Sequence, residues 1–375
     1  MRLAYIDNIR WVMIILVLSM HSADSYSPFG NWYYTEHPPV GLPTVLFFGF
    51  YQSFLQGFFM ALLFFIAGYF TPGSCDRKGP ARFLWDRFVR LGLPTLLYML
   101  LIGPLTEYYV SRTWRTSDPF AKAWWDHIVD GEVFGMTGPM WFCAALLVFC
   151  AVYAALQSLP ARAGARPAGA VALTDRNVVL LIACIGLATF IVKAVLPPGA
   201  SFYNVHLADF PSYIIMFTAG VFACRQDWLA RLPHEFALRW GAAALVVGCL
   251  LWPALIGLGG ALRGSAAAYD SGWHWQNVVM CIWAALICVG VSLGLIALFR
   301  EKLNVQGRLA RLMSANAFAV YLFHPPILIA LALALSQLAA PAVAKFLLLT
   351  ALGVIVNFVA AEYLFRRIPL LRRIL

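Results

Sequence analysis

The first apolar stretch of the chain carries three ionisable residues, Asp7, Arg10 and His21. An ionisable group inside a bilayer is costly, so each of these residues is a candidate for function. Histidine exchanges a proton near neutral pH and arginine binds anions, so the group could combine acid–base chemistry with anion binding. If the stretch is an α-helix, Arg10 and His21 share one face about 16 Å apart along the axis. Asp7 is then near enough to pair with Arg10.

Each of these residues also has a simpler interpretation. Arg10 could be an interfacial cation that extends its guanidinium to the lipid headgroups. His21 could serve only as a hydrogen-bond partner for a neighbouring helix. The shared face argues only modestly against these interpretations.

Two further positions combine a chemically useful side chain with proline. His324 precedes Pro325 and Pro326 inside an apolar run, where the missing backbone N–H groups leave carbonyls unpaired. His324 could satisfy one of those carbonyls, or it could act in catalysis or substrate binding. Trp141 lies beside Pro139 at the start of another apolar run, where interfacial packing and substrate contact are both compatible with its type.

The elements that must position these residues are membrane-spanning helices, as the composition shows. Of the 375 residues, 62% are hydrophobic and 12% are charged, and the mean hydropathy is +0.77. A water-soluble domain with a polar surface hardly reaches such values. The net charge of +10 is spread between the apolar runs, so membrane orientation explains it and no nucleic-acid partner is predicted. The N-terminal stretch is predicted to be a first helix and not a removed signal peptide.

A spanning helix needs about 20 predominantly apolar residues. Ten runs of the sequence are compatible with that requirement: they lie near 8–24, 44–70, 89–109, 137–157, 177–196, 209–224, 240–262, 276–299, 316–338 and 343–365. The sequence therefore predicts an all-α, polytopic integral membrane protein with about ten transmembrane helices, forming a single transmembrane domain over residues 1–375. The second run is long and the sixth is short, so either could be tilted or re-entrant.

The distribution of lysine and arginine between the runs predicts the orientation. If the N-terminus is cytoplasmic, only six of the 27 basic residues fall on the outer side: Arg112, Arg115, Lys122, Lys193, Arg263 and Lys345. Such an asymmetry is what the positive-inside rule describes. With an even number of helices, both termini are predicted to be cytoplasmic.

Two long outer loops, near 25–43 and 110–136, are rich in aromatic and acidic residues: Trp32, Tyr33, Tyr34, Glu36, Trp114, Trp124, Trp125 and Asp126. Aromatic residues at a membrane boundary are most often interfacial anchors. The alternative is a platform for sugar rings, which stack on indole rings as other rings do.

The eight cysteines do not form the pattern of a disulfide framework. Seven lie in or against apolar runs, where a thiol behaves as a small hydrophobic group. Cys75 lies in the polar segment after the second run and is predicted to belong to a cytoplasmic loop. All eight are predicted to be free thiols.

Six sequence segments, spread over nearly the whole chain, form an ordered set of motifs: "YIDNIRWVMIILVLSMH" at the start, "FFMALLFFIAGYF" at 58–70, "RFVRLGLP" at 87–94, "GPMWFCAALLVF" at 138–149, "FPSYIIMFTAGVFA" at 210–223 and "AFAVYLFHPPILI" at 317–329. This set resembles the membrane acyltransferase type 3 family, whose signature is an arginine, ten intervening residues and a histidine. Arg10 and His21 fit that spacing, and Asp7 fits the acidic residue that usually precedes it.

Within that family the chain looks most like the glucan-modifying branch, which is similar to a succinyl transferase acting on periplasmic glucans. This chain differs from that branch at Phe59, where the branch has an arginine. The difference weakens the inference that this chain acts on the same glucans. The resemblance implies a bacterial inner-membrane enzyme that moves an acetyl, succinyl or similar group from cytoplasmic acyl-CoA to a hydroxyl of an extracytoplasmic glycan or glycolipid. Acyl-CoA is then a donor substrate, and no permanently bound cofactor is implied.

The resemblance also implies roles for individual residues. His21 would be the general base that takes the proton of the acceptor hydroxyl, and a covalent acyl-histidine is the competing mechanism. Asp7 and His324 would join His21 in catalysis. Trp141 would contact the acceptor.

A basic cluster would hold the donor. Arg87 and Arg90 are three positions apart at the cytoplasmic entrance of the third helix, so they are predicted to share a helical face. Together with Arg10 they could bind the phosphates of CoA through charge-assisted hydrogen bonds. The alternative is that they are ordinary topology residues on the positive inner side.

Two rival functions are compatible with the same sequence. A transporter of a glycolipid or organic acid also needs polar residues at mid-membrane depth, and it would change no covalent bond. A non-catalytic assembly subunit would tolerate loss of Arg10 and His21. No GxxxxGK loop and no HExxH spacing occurs in the sequence, so neither ATP use nor a metal site is predicted.

Overall fold

The computed structural model describes residues 3–36, 39–110, 119–159, 173–197, 199–202, 205–264 and 266–372. Arg112, Trp114 and Arg115, which the sequence assigns to the second outer loop, lie outside the described residues. Within the described ranges, regular structure is helical except for one antiparallel pair of short strands, β1 (Ser201–Phe202) and β2 (Val205–His206).

The helices are, in chain order, α1 (Ala4–Tyr26), α2 (Leu42–Lys78), α3 (Pro80–Arg87), α4 (Leu93–Leu97), α5 (Gly103–Val110), α6 (Phe120–Val129), α7 (Trp141–Gln157), α8 (Asp175–Val195), α9 (Phe210–Arg225), α10 (Trp228–Arg231), α11 (His234–Leu258), α12 (Trp275–Lys302), α13 (Arg308–Ala334), α14 (Ala342–Tyr363) and α15 (Pro369–Arg372). In the described part of the chain, ten segments are long and apolar enough to cross a membrane: α1, α2, the stretch from α3 to α5, α7, α8, α9, α11, α12, α13 and α14. The predicted all-α, polytopic architecture is confirmed.

The third segment contains two π-helical turns, Phe88–Gly92 and Tyr98–Ile102. A proline follows each turn after one further residue, Pro94 in one case and Pro104 in the other. Proline has no N–H, so the carbonyl four residues earlier loses its α-helical donor. Hydrogen bonds of the π-helical type, from an N–H to the carbonyl five residues earlier, form instead. One of them runs from the Leu93 N–H to the Phe88 carbonyl.

The second segment differs from its predicted extent. The predicted apolar run ended at residue 70, but α2 continues to Lys78. The prediction that Cys75 lies in a loop is wrong, because Cys75 is a buried residue of α2. Asp76 holds this polar extension by accepting hydrogen bonds of 2.5 and 2.9 Å from Arg225 of α9. Hydropathy detects the apolar length of a helix and misses such a polar continuation.

The ninth segment is displaced for a similar reason. It was predicted at 316–338, whereas α13 begins at Arg308. The turns that the prediction missed, residues 308–315, carry Arg308 and Arg311, whose charges lower the local hydropathy without interrupting the helix. Asn316, the next residue, is fully buried, and its amide donates to Glu362 of α14 at 2.7 Å.

The helices cluster into two compact units: unit 1 is Met1–Ile9, Ser53–Trp85 and Val148–Val305, and unit 2 is Arg10–Gln52, Asp86–Leu147 and Gln306–Leu375. In unit 1 the helices α11 and α12 pack closely at small residues. A Cβ added to Gly241 would lie 2.8 Å from the Cα of Gly294, so the two backbones are in contact. Trp283 of α12 also donates to the Gly248 carbonyl of α11 at 3.0 Å.

Unit 2 is organised around α13 and α14. Their contact includes Gly353, where the atom nearest to an added Cβ would be Leu328 Cδ2, so the Leu328 side chain packs directly on the Gly353 backbone. Phe47 and Phe48 of α2 pack against Phe346 of α14. With the exception of Asp7, the candidate site residues predicted from the sequence belong to unit 2.

Candidate active site

His21 and Asp24 lie three residues apart on α1, where their side chains are neighbours on one helix face. His21 Nδ1 is 3.1 Å from Asp24 Oδ2, and the two side chains are 22% and 16% exposed. A carboxylate only accepts hydrogen bonds, so Nδ1 carries the proton and Nε2 of the neutral ring holds a free lone pair. His21 is thereby oriented to accept a proton at Nε2.

Helix α2 holds the Asp24 carboxylate in place. Gln52 Nε2 donates to Asp24 Oδ1 at 2.7 Å, so the two carboxylate oxygens have different partners. The preceding residue, Tyr51, donates its hydroxyl to Ser19 Oγ at 2.7 Å and forms a second link between α1 and α2. Because Gln52 is buried, the chain from Gln52 through Asp24 to His21 is a connected polar network in a low-dielectric setting.

His324 lies fully buried in α13. Its Nδ1 donates to the Tyr321 carbonyl at 2.8 Å. That carbonyl lies four residues before Pro325, whose missing N–H would have been its α-helical donor. One interpretation from the sequence is therefore confirmed, namely that His324 satisfies a carbonyl freed by proline. Helix α13 runs through Pro325 and Pro326 without a break.

The structure brings the two histidines together. The rings of His21 and His324 stack with their centroids 5.2 Å apart and their planes 19° from parallel. His324 Nε2 is completely buried, and no described residue is its hydrogen-bond partner. Buried polar atoms in native proteins nearly always have a partner, so this nitrogen indicates a place that a ligand or water fills.

Tyr321 connects α13 to the start of α7. Its hydroxyl donates to the carbonyl of Pro139, in the 3-10 turn that leads into α7. Its ring centroid lies 6.1 Å from that of His324. Trp141, the first residue of α7, is half-buried just after this junction. Its role in acceptor binding stays a prediction.

The loop after α1 returns to the histidines. Trp32 stacks on His21 with ring centroids 4.5 Å apart and planes 13° from parallel. Its indole also lies 6.3 Å from the His324 ring. Trp32 therefore belongs to the site. A role as an anchor at the lipid interface does not by itself explain its stacking on the histidines.

The second π turn supports this loop. Tyr33 and Tyr98 are joined by a hydrogen bond of 3.1 Å between their hydroxyls. Burial raises the pKa of Tyr33 to about 12, so its phenol stays neutral at physiological pH. The Leu100 carbonyl, which Pro104 leaves without its α-helical donor, accepts from Trp124 Nε1 at 2.6 Å.

A buried ion pair holds the end of the same loop. Both oxygens of the Glu36 carboxylate accept from Lys345 Nζ of α14, at 3.0 and 2.9 Å. Lys345 is 5% exposed, and its ammonium lies 5.8 Å from the centroid of the Tyr26 ring. The Glu36 backbone N–H donates to the Ser25 carbonyl at 2.8 Å. The loop that carries Trp32 is thus tied at its far end to α1 and α14.

Asp7, Arg10 and His21 lie on the continuous helix α1, as predicted. The axial distance from Arg10 to His21 is about 16 Å and that from Asp7 to His21 is about 21 Å, at 1.5 Å per residue. The carboxylate that contacts His21 is therefore Asp24. A catalytic role for Asp7 stays a prediction.

Arg87 and Arg90 lie at the junction of an α-helix and a π turn. Arg87 ends α3, and Arg90 lies inside the first π turn. Their shared helical face stays a prediction. Both residues belong to unit 2 with Arg10. Short π-helical segments occur often at functional sites.

Sequence reasoning missed Asp24 and Gln52. Asp24 did carry a signal, because it is an acidic residue three positions after a histidine in the same predicted helix. Gln52 carried none, since its partner lies on another helix. In the described part of the chain, no group of three His, Cys, Asp or Glu side chains is arranged to hold a metal ion.

A family model described as an acyltransferase domain matches residues 3–362, which is nearly the whole chain. No match occurs among the curated proteins. None occurs among the solved structures either.

Proposed function

The chain belongs to this acyltransferase family, and from that premise we propose that it transfers a short acyl group, such as acetyl or succinyl, from cytoplasmic acyl-CoA to a hydroxyl of an extracytoplasmic glycan or glycolipid. The proposed location is the inner membrane of a bacterium. The observation that carries the proposal is the His21 site, in which Asp24 orients His21 within a membrane-spanning helix.

The proposed reaction uses His21 as a general base. The acceptor hydroxyl gives its proton to His21 Nε2 while its oxygen attacks the thioester carbonyl. When the tetrahedral intermediate collapses, the carbon–sulfur bond breaks and the CoA thiolate takes that proton from the imidazolium. Asp24 stabilises the imidazolium through the Nδ1 hydrogen bond.

The competing mechanism forms an acyl-histidine before the acceptor reacts. In that case His21 Nε2 attacks the thioester itself and CoA leaves first. Exchange of labelled CoA into acyl-CoA, in the absence of acceptor, distinguishes the two. Exchange supports the covalent route, because CoA then leaves before the acceptor binds, and no exchange supports the general-base route.

The donor is proposed to lie along α1. Arg10, Arg87 and Arg90 would bind the phosphates of CoA, because guanidinium groups form strong charge-assisted bonds with phosphate oxygens. The long pantetheine arm would then cover the distance of about 16 Å between Arg10 and His21. Trp141 is proposed to contact the acceptor.

Acceptor-dependent release of CoA tests the function. The full chain in nanodiscs is supplied with acetyl-CoA or succinyl-CoA and then with glucan oligosaccharides or a bacterial glycolipid fraction. The enzyme should release free CoA thiol when acceptor is added, and the acceptor should gain the acyl mass. His21→Gln should abolish both signals, whereas His274→Gln, a change at an exposed residue before α12, should keep them. In sealed proteoliposomes of the same protein, uptake of acceptor without thiol release or mass gain would favour the transporter instead.

A further inference from the structure

We propose that His324 is a hydrogen-bond acceptor for a second hydroxyl of the acceptor substrate, so that the enzyme selects polyhydroxylated acceptors over simple alcohols. The identification of this ligand as the acceptor rests on the proposed function. The tautomer of His324 does not, because it follows from a contact within α13.

The local sequence sets the tautomer of His324. A carbonyl oxygen cannot donate, so the bond to the Tyr321 carbonyl places the proton on Nδ1. Pro325 makes this bond available, because it lacks the N–H that would otherwise occupy the same carbonyl. A neutral imidazole has one N–H, and Nε2 is therefore a bare lone pair.

The position of Nε2 determines what can bind it. The atom is fully buried and without a hydrogen-bond partner in the described part of the chain. A neutral Nε2 with a bare lone pair can only accept, so its partner must be a donor such as a hydroxyl. The His324 ring stacks on His21 at 5.2 Å, so this donor binds directly beside the base that activates the reacting hydroxyl.

The surroundings of the two rings assign them different tasks. His21 has a carboxylate, Asp24, that stabilises its imidazolium form. His324 has neutral backbone carbonyls, those of Tyr321 and Val320, as its hydrogen-bond partners in place of a carboxylate, and it is completely buried. His21 therefore takes the proton, and His324 binds and orients the substrate. A substrate that binds both His21 Nε2 and His324 Nε2 carries a reacting hydroxyl and a second hydrogen-bond donor close to it. A sugar or another polyol has this arrangement.

A spectroscopic experiment tests the tautomer and the ligand class without any turnover. The full chain is labelled with ¹⁵N-histidine, placed in nanodiscs and titrated with 1,2- or 1,3-cyclohexanediol, with cyclohexanol as the matched alcohol. Loss of one signal pair in His324→Asn or His324→Gln assigns the residue. We expect a bare Nε2 resonance that shifts at lower concentrations of either diol than of cyclohexanol. A protonated Nε2, or an equal response to all three compounds, would overturn the proposal.

Kinetics provide the second test. In His324→Asn the shorter amide can still donate to the Tyr321 carbonyl, but no acceptor remains near the place of Nε2. His324→Gln keeps an acceptor there. We expect His324→Asn to raise the KM for the diols by at least about tenfold, with the KM for acyl-CoA unchanged and partial rescue in His324→Gln. A higher KM for acyl-CoA alone would mean that the donor fills the position, and would contradict the proposal.

The two proposals fail in different ways. If the wild-type protein shows the diol-selective shift at Nε2 but never transfers an acyl group, the proposed function is wrong and the polyol site stands. If transfer occurs with the same diol-to-cyclohexanol ratio in wild type and His324→Asn, the function stands and the role of His324 is wrong.

Discussion

Two polar clusters within spanning helices use similar residue types in opposite ways. In unit 1, Arg225 of α9 donates two hydrogen bonds to the Asp76 carboxylate and one, of 2.8 Å, to the Tyr153 hydroxyl. In unit 2, the Asp24 carboxylate accepts from Gln52 and His21. The first cluster matches its donors to acceptors inside the protein, whereas the second leaves histidine nitrogens available.

The difference separates helix packing from chemistry. Polar groups in a membrane protein are costly, so a cluster whose members satisfy one another stabilises the contact between helices. A cluster with a buried, unmatched acceptor such as His324 Nε2 keeps an unfavourable group, and binding of a ligand relieves it. Variants in the two clusters should therefore change different quantities.

The side of the membrane on which the first cluster lies can be tested by a labelling experiment with a yes-or-no result. Lys78 is exposed at the end of α2, two residues after Asp76, and should lie on the cytoplasmic side. We expect Lys78→Cys to react with an impermeant maleimide only after the membrane is opened. The wild-type protein supplies the background of its eight free thiols. Labelling of Lys78→Cys in intact cells would reverse the orientation and move the donor to the other side.

His21→Gln should have the largest effect on catalysis. Glutamine keeps hydrogen bonding and similar bulk but cannot accept a proton at neutral pH. We expect kcat to fall by about 10² to 10⁴, the usual contribution of a general base. Acyl-CoA binding, measured by calorimetry, should be unchanged. Near-normal turnover with normal expression would show that His21 only packs between helices, and His324 would become the candidate base.

Asp24→Asn should have a smaller effect in the same direction. The amide fills the space of the carboxylate but loses the charge-assisted bond to His21 Nδ1. Such a bond contributes about 1.5 to 3 kcal/mol, so kcat should fall roughly tenfold to a hundredfold. Asp130→Asn, at an exposed position after α6, is the matched control and should retain full activity. Equal activity of the two variants would remove Asp24 from the mechanism.

Replacement of Arg10, Arg87 or Arg90 by glutamine should weaken binding of the acyl-CoA donor and leave the rate of the chemical step nearly unchanged. Loss of one charged hydrogen bond should reduce acyl-CoA affinity by about tenfold to a hundredfold, with little change in kcat at saturating donor. Arg263→Gln, a change at an exposed residue that is predicted to lie on the outer side, controls for net charge. Unchanged affinity in the three variants would leave these arginines with a topological role alone.

The smallest effect on stability and activity is expected from a change in the first cluster, that of Asp76, Arg225 and Tyr153. Asp76 is 49% exposed and Arg225 is 26% exposed, so solvent screens their attraction. Asp76→Asn should lower the free energy of unfolding by about 1 kcal/mol or less, measured as a small shift in thermal stability. Its kcat should equal that of wild type. A fall in kcat comparable to that of Asp24→Asn would show that the first cluster is also part of the active site.

The sequence alone determined the features that depend on near neighbours along the chain. The ten spanning segments follow from local hydropathy, and the shared helix of Arg10 and His21 follows from helical periodicity. Pro325 frees the Tyr321 carbonyl because proline lacks an N–H, wherever the helix packs. The end of α2 was misjudged because Arg225 of another helix stabilises the polar extension through Asp76. The start of α13 was misjudged because Arg308 and Arg311 lower the hydropathy of its first turns.

The site itself is a product of tertiary structure. His21 meets Gln52 through Asp24, Trp32 through a returning loop and His324 through the packing of α13. No local pattern specifies which of several buried polar residues on different helices will meet, because hydropathy and periodicity constrain each helix separately. Packing between helices decides those contacts, and with them which rings and side chains surround the two histidines.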